Sequence, residues 1–294
     1  MPNFLASKTL KYIWNHPNCK NQKVKRTAKF LGWQLYKRIV KKPIEIEIIP
    51  EIKIRCYPNG YSAASVLYCG LYDYHEMNFL RRYLRSEDSF LDIGANVGVY
   101  SLLAASKIET GTIYSFEALP KNYDRLQENI RLNKFKSIES YSTAISNTEG
   151  SILLDLAEGD SMPFINLNAS SDKSIIVPTN TLDNVLKGRA LENLTLAKID
   201  IEGAELLAFK GAISLLEKQL PYVWILELNN TINHFGHTED DVVSLLHNFG
   251  YELYSYNAEK NTLETITPKQ KQGNNVLAVA SNRLDFVKER LNLV

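Results

Sequence analysis

Residues 90–101 read Phe-Leu-Asp-Ile-Gly-Ala-Asn-Val-Gly-Val-Tyr-Ser, and this stretch constrains the fold more than any other. The apolar run from Ser89 to Ile93 reads as a buried strand that breaks at Gly94, and a helical pattern begins near Val97. Gly94 and Gly98 allow a tight turn and close approach of backbone to a ligand. The helix start offers free N–H groups. The loop is neither the G-x-G-x-x-G of a dinucleotide fold nor a phosphate-binding P-loop.

Asp92 sits inside the strand end, where an anion repels a pyrophosphate. A cofactor with a cationic amino-acid end and no phosphate fits better, and S-adenosylmethionine is that kind of molecule. The next β-rich run, Thr112 to Glu117, also ends in an acid, 19 residues after Gly98. In a βαβ unit an acid at the second strand's tip accepts hydrogen bonds from ribose hydroxyls. The expected cofactor residues are therefore Asp92, Gly94, Ala95, Asn96, Gly98, Glu117 and Ala118, with Asp200 from a later strand.

After a helix over 75–85 the chain alternates strand and helix, the pattern of a parallel sheet. Strands are expected near 89–93, 112–117, 138–145, 195–201, 222–228, 251–257 and 274–281. Helices are expected near 97–107, 120–133, 204–217 and 239–248. No crossover helix separates the last two strands, which predicts an antiparallel closing pair. Such a pattern describes an α/β, Rossmann-like class I methyltransferase sheet of seven strands, mostly parallel. Residues 148–193 form an insert in which 151–156 and 174–177 could pair as a hairpin, with loops at 161–163 and 166–172. Ile44 to Ile54 alternates isoleucine with charge and reads as an exposed strand or hairpin entry.

The net charge of +1 conceals an asymmetry: residues 1–44 hold 11 Lys/Arg and no acid. Residues 23–40 look helical, with Val24, Ala28, Leu31, Leu35 and Ile39 on one stripe and Phe30, Trp33 and Tyr36 widening it. A helix docked on the body is the plain expectation; contact with an anionic membrane surface is the alternative, and nucleic acid is the least favoured partner. Cys19, Cys56 and Cys69 form no C-x-x-C pair and are odd in number, which argues against a disulfide frame or zinc site. No apolar run is long enough for a membrane span and no signal-peptide pattern opens the chain, so a cytoplasmic protein is expected.

In open α/β sheets ligands sit beyond the carboxyl ends of the strands. Lys198, Asp200 and Glu202 alternate there and share a face. Three charges on a central strand must be paired or lie at a site. If an alcohol is the nucleophile, a base must take its proton. The candidates are Asp200, Glu202 and His237, with Glu227 and His234 nearby. Paired acids at 200 and 202 could also hold a divalent cation with Glu227 or Asn229, although no spacing compels it, and no metal is assigned.

Leu91 to Ser101 and Lys198-Ile-Asp-Ile-Glu-Gly-Ala-Glu205 together resemble the FkbM family of S-adenosylmethionine-dependent methyltransferases. Phe116-Glu-Ala-Leu-Pro120, Leu126-x-x-Asn129-Ile-x-Leu-Asn133, Thr181-Leu-Asp183, Leu226-Glu-Leu228 and the leading segment Gly70 to Met77 look like its other signatures. The family more often has Glu-Pro where this chain has Glu117-Ala118, and often a Glu where Asp73 stands, which leaves the role of Asp73 open. The resemblance implies a class I fold and O-methylation of a sugar, glycan or natural-product hydroxyl. The resemblance covers about residues 68–257; charge and patterning divide the chain into a basic arm (1–44), a leading segment (45–88) and a methyltransferase domain (89–294). The competing readings are a catalytically silent binding module and an NAD-dependent oxidoreductase.

Overall fold

The computed structural model describes residues 2–155, 164–165, 174–271 and 273–293. Two helices open it, α1 (Pro2–Asn15) and α2 (Lys23–Ile39). A hairpin follows, β1 (Ile44–Ile49) antiparallel to β2 (Ile52–Cys56). Ile48, Ile52, Ile54 and Cys56 turn inward while Glu45 and Glu47 face solvent, as alternation on a half-buried ribbon requires. Helices α3 (Ser62–Cys69) and α4 (Tyr74–Tyr83) lead to the first core strand, β3 (Ser89–Ile93). Alternation then proceeds through α5 (Val99–Ala105), β4 (Ile113–Phe116), α6 (Pro120–Asn133) and β5 (Ile138–Tyr141).

The single strand expected over 138–145 is two. Its second part, β6 (Ala144–Ile145), leaves the central sheet and joins β7 (Gly150–Asp155), β8 (Phe164–Ile165) and β9 (Ser174–Asn180) in a separate sheet of order β6-β9-β7-β8. The antiparallel β7–β9 ladder, from Gly150 opposite Thr179 to Asp155 opposite Ser174, is the pairing expected inside the insert. The loops expected at 161–163 and 166–172 lie outside the described residues.

The remainder comprises α7 (Leu182–Val185), β10 (Leu194–Ile199), α8 (Glu205–Lys210), α9 (Ile213–Glu217), β11 (Val223–Glu227), α10 (Glu239–Asn248), β12 (Tyr251–Asn257), β13 (Thr262–Thr265), β14 (Asn275–Ala280) and α11 (Leu284–Arg290). The helix expected over 204–217 divides at Gly211, where a Cβ would stand 2.0 Å from the Ser146 carbonyl oxygen. Thr238 and Asp241 cap α10 reciprocally.

The central sheet runs β13-β12-β14-β11-β10-β3-β4-β5. Strands β11 through β5 are parallel, and β14 lies antiparallel between β11 and β12. Seven of the eight strands follow the expected class I arrangement; β13, from a stretch read as a connection, adds to the β12 edge. Period-two alternation splits the core. Phe90, Leu196 and Ile225 face one layer, which includes Ile13, Cys19, Phe30 and Trp33 of the arm. Leu91, Ala197 and Trp224 face the layer of α8 to α10. The arm thus shares a core with the body, through the aromatic side of α2 and not its aliphatic stripe. Phe30 and Trp33 are the buried residues of α2, while Val24, Leu31, Leu35 and Ile39 are exposed. Large aromatic rings bury more area per position than aliphatic side chains, and they decide which face docks. Among the described residues no helix is long and apolar enough to cross a membrane.

Candidate functional site

Because β3, β4, β10 and β11 are parallel, their carboxyl ends open together onto one cavity of about 430 Å³, within the usual range for small-molecule sites. Asp92, Gly94, Ala95 and Asn96 line it from β3, Glu117 and Ala118 from β4, Lys198, Asp200 and Glu202 from β10, and Glu227 from β11. Every expected cofactor residue except Gly98 is on its wall. Gly98 lies behind, as the residue that precedes α5, with φ +92 and a would-be Cβ 2.6 Å from Leu126 Cδ1. At Gly94, φ is +81 and a Cβ would meet the Asp200 carbonyl oxygen at 2.0 Å. Both glycines are therefore demanded by their positive φ and by the packing of the chain on itself. His237 is not on the cavity wall; it lies on the loop immediately before Thr238, the N-cap of α10.

The loop after β3 is held by hydrogen bonds that close on Glu117. Gly94 and Ala95 N–H donate to the Phe116 carbonyl at 3.0 and 2.9 Å. Asn96 N–H donates to Glu117 Oε2 and Leu119 N–H to Oε1, each at 2.8 Å. A carboxylate offers about four lone-pair positions, so each oxygen keeps acceptor capacity toward the cavity. Burial pushes Glu117 up to about 7 despite these two donors. Asp92 accepts from the Ser101 hydroxyl at 2.5 Å, and Ser101 contacts Ser115 at 2.8 Å.

Leu126, Asn129 and Asn133 on α6 brace this loop from behind. Asn129 donates to the Val97 carbonyl at 2.8 Å and accepts from Arg55 N–H at 2.9 Å, while Asn133 bonds both backbone groups of Lys53. The asparagine spacing thus ties the cofactor-type loop to the edge of β2.

Lys198 and Asp92 are neighbours in register on β10 and β3. Lys198 Nζ donates to Asp200 Oδ2 at 2.8 Å and lies 4.8 Å from the centre of the Tyr100 ring. Tyr100 in turn donates to Asp73 at 2.9 Å. Burial would depress Lys198, but Asp200, Asp92 and Asp73 outweigh it and raise its affinity for the proton. Burial opposes ionisation of Asp200, yet Lys198 holds it below the ordinary carboxylate range. Glu202 is pushed up to about 8, first by burial and then by Asp200 and Glu227. Glu227 is pushed up to about 7 by burial and by Asp200, with which it shares a hydrogen bond. Glu202 also takes φ +53, an uncommon conformation for a residue with a Cβ. One oxygen from each of Asp200, Glu202 and Glu227 lies within 4.8 Å of the others.

Asp73 and Tyr12 are among the wall residues outside the expected set. Asp73 precedes α4 and is pushed up to about 6 by burial. Tyr12 of α1 lines the cavity and donates to the Tyr72 carbonyl at 2.7 Å, as His16 Nε2 does at 2.8 Å. Asp73 had a sequence signal, in the leading segment. Tyr12 had none, because its contact spans 60 positions. The cavity wall therefore carries six carboxylates (Asp73, Asp92, Glu117, Asp200, Glu202 and Glu227) and, among the described residues, one basic side chain, Lys198.

The family described as "Methyltransferase FkbM domain" matches residues 92–253. "Methyltransferase 1" of Beauveria bassiana is 23% identical over 146 residues, covering 42% of this chain and 59% of that protein. "Methyltransferase sdnD" of Sordaria araneosa is 25% identical over 198 residues, covering 56% and 75%. "Hexuronic acid methyltransferase AglP" of Haloferax volcanii is 25% identical over 164 residues, covering 54% and 62%. The chain thus spans less than two thirds of the Beauveria and Haloferax proteins. Among solved structures, the methyltransferase FkbM from Methylobacillus flagellatus KT is similar at a TM-score of 0.44 with 14% identity, covering 87% of this chain and 60% of that one.

Proposed function

Because the chain belongs to the FkbM methyltransferase family, we propose that it transfers a methyl group from S-adenosylmethionine to a hydroxyl oxygen of a sugar, glycan or natural product. The observation that carries this reading is the charge of the cavity: six carboxylates against one lysine. Such a wall favours a cationic ligand and repels a phosphorylated one. It supports S-adenosylmethionine over a nicotinamide dinucleotide, whose pyrophosphate would face the same acids. Glu117, with acceptor positions left over from its two backbone donors, would hold the ribose. Asp92, Asp73 and the 94–96 backbone would border the rest of the cofactor.

Bound there, S-adenosylmethionine would supply an electrophilic methyl carbon on a sulfonium. The chain's own residues must align the acceptor hydroxyl and take its proton. Asp200 is a poor base because Lys198 keeps it ionised; it orients. Glu202, pushed up to about 8, has the proton affinity a base needs near neutral pH, and the hydroxyl proton would pass to its carboxylate. His237 has no place in this scheme. The arm's Tyr12 and the insert's Leu154, both on the cavity wall, would border the acceptor. A sugar acceptor draws support from the hexuronic acid named for the Haloferax relative.

The test is calorimetric titration with S-adenosylmethionine, S-adenosylhomocysteine and NADH, followed by a methyl-transfer screen over uronic acids, neutral sugars and polyketide alcohols. Binding of both sulfur ligands without NADH, and a Glu202→Gln protein that binds the cofactor but loses turnover, are expected. A folded protein that binds neither sulfur ligand refutes the reading. Binding without transfer to any alcohol would favour a silent module.

A further inference from the structure

Helix α2 has two apolar faces. One packs on the body through Phe30 and Trp33, 3% and 4% exposed. The other carries Val24, Ala28, Leu31, Leu35 and Ile39, spaced at helical intervals in one row. Val24, Leu31, Leu35 and Ile39 are 79%, 55%, 60% and 70% exposed. Apolar residues scattered over a surface need no explanation, but a continuous row of them marks an interaction site.

The chemistry around the row identifies what it meets. Helical spacing puts Lys25 and Lys29 along one side of it and Lys23 and Arg38 along the other, with Lys41 and Lys42 just past the helix end. The first 44 residues hold 11 bases and no acid. Lys29 holds its proton less firmly than an ordinary lysine, first through partial burial and then through repulsion by Arg26 and Lys25. Trp14, 48% exposed, sits against the same helix, with its Nε1–H on the Thr27 hydroxyl at 3.0 Å and Lys23 Nζ 5.5 Å from its ring.

We propose that the outward face of α2 docks on the surface of an anionic lipid bilayer. An aliphatic row flanked by lysines, with a tryptophan at its edge, matches both layers of such a surface at once: the row enters the headgroup–acyl boundary and the lysines meet lipid phosphates. A second copy fits poorly, because a two-fold contact would press like-charged flanks together. A nucleic acid would neutralise the lysines and leave the aliphatic row in water. Helix α1 packs beside α2 and supplies Tyr12 to the cavity wall, so the docking face and the cavity are joined through the arm.

Sedimentation of the full chain with vesicles tests this, using phosphatidylcholine alone and phosphatidylcholine mixed equally with phosphatidylglycerol. Binding to the mixed vesicles only, weakening as salt is raised, is expected. Leu31→Glu with Leu35→Glu should lower vesicle affinity at least about tenfold while leaving the melting temperature and S-adenosylhomocysteine binding unchanged. Lys25→Gln with Lys29→Gln, which leaves the aliphatic row intact, should weaken binding about fivefold per charge removed. The proposal is overturned if the wild-type chain ignores the mixed vesicles or binds both kinds equally. It is also overturned if Leu31→Glu/Leu35→Glu leaves binding intact, or if that pair instead abolishes a dimer seen in solution.

Discussion

The cavity's acids make cofactor affinity a function of pH, with a sign that can be worked out. Glu117 is pushed up to about 7 by burial, so below that pH the free protein holds it mostly protonated. A ribose donates hydroxyl hydrogens and a sulfonium brings positive charge; both favour the ionised carboxylate. Binding must therefore expel the proton, and affinity must rise with pH until Glu117 is ionised without help. If Glu117 alone is involved, affinity at pH 5 is weaker than the plateau value by about 100-fold, two pH units at tenfold each. Glu227 and Glu202, at about 7 and about 8, would steepen the dependence if they also respond to the ligand's charge. Isothermal calorimetry with S-adenosylmethionine between pH 5 and 7.5 measures the affinities. Repetition in buffers of different ionisation enthalpy counts the protons, and about one should be released per ligand near pH 6. An affinity constant within about threefold over this range, with no buffer-dependent heat, would refute the electrostatic account of the cavity.

Other consequences concern the fold around the site. Gly94→Ala must adopt φ +81 with its Cβ against the Asp200 carbonyl; a loss of roughly 3 kcal/mol or more in denaturant unfolding is expected. Gly98→Ala should cost less, because the atom it meets is the flexible end of Leu126. Asn129→Leu leaves Arg55 N–H and Val97 C=O without their partner and should destabilise by about 2–4 kcal/mol. Lys198→Met removes the cation on which Asp200 and Asp92 depend. The acids it strands become harder to ionise in the folded state, so its stability deficit, read as a melting-temperature difference from wild type, should be larger at pH 8 than at pH 5. A deficit that shrinks as pH rises would contradict the assigned pairing. Asp92→Asn should lower S-adenosylmethionine affinity; full affinity would remove Asp92 from the cofactor site.

What the sequence made legible follows from the parallel sheet. Once Ser89–Ile93, Ile113–Phe116, Leu194–Ile199 and Val223–Glu227 are recognised as strands running one way, residues at their carboxyl ends must converge, and Asp92, Glu117, Asp200 and Glu202 do. His237 was placed by the same logic and misses the cavity, because it follows β11 by a whole short helix, Asn230–Phe235, and not by a residue or two. Proximity in sequence to a strand tip decays quickly once the chain turns. Which face of α2 docks was not legible for another reason: both faces are apolar, and periodicity cannot rank them. Tyr12 was out of reach because only tertiary packing brings it to Tyr72. The role of the glycines as conformational residues was legible: both take positive φ, and a Cβ would meet the Asp200 carbonyl at Gly94 and Leu126 at Gly98.

The six acids also divide into two groups by what surrounds them. Asp92, Asp200 and Asp73 gather on Lys198, and Asp200 and Asp73 are further fixed by the lysine's hydrogen bond and the Tyr100 hydroxyl. Lys198 holds Asp200 below the ordinary range, while burial still pushes Asp73 up to about 6 and raises Asp92. Glu117, Glu202 and Glu227 have no basic side chain of their own on the cavity wall, and all three are pushed to about 7 or 8. Like charges in a confined space hold protons until a cation arrives. A ligand carrying positive charge relieves all three at once, and an uncharged analogue of the same shape relieves none by that route. S-adenosylmethionine should accordingly gain affinity relative to S-adenosylhomocysteine as the pH rises from 6 through 8 if the sulfonium lies among these acids, because fewer protons then have to be expelled. A ratio of the two affinities that stays constant over this range would place the charge of the ligand elsewhere.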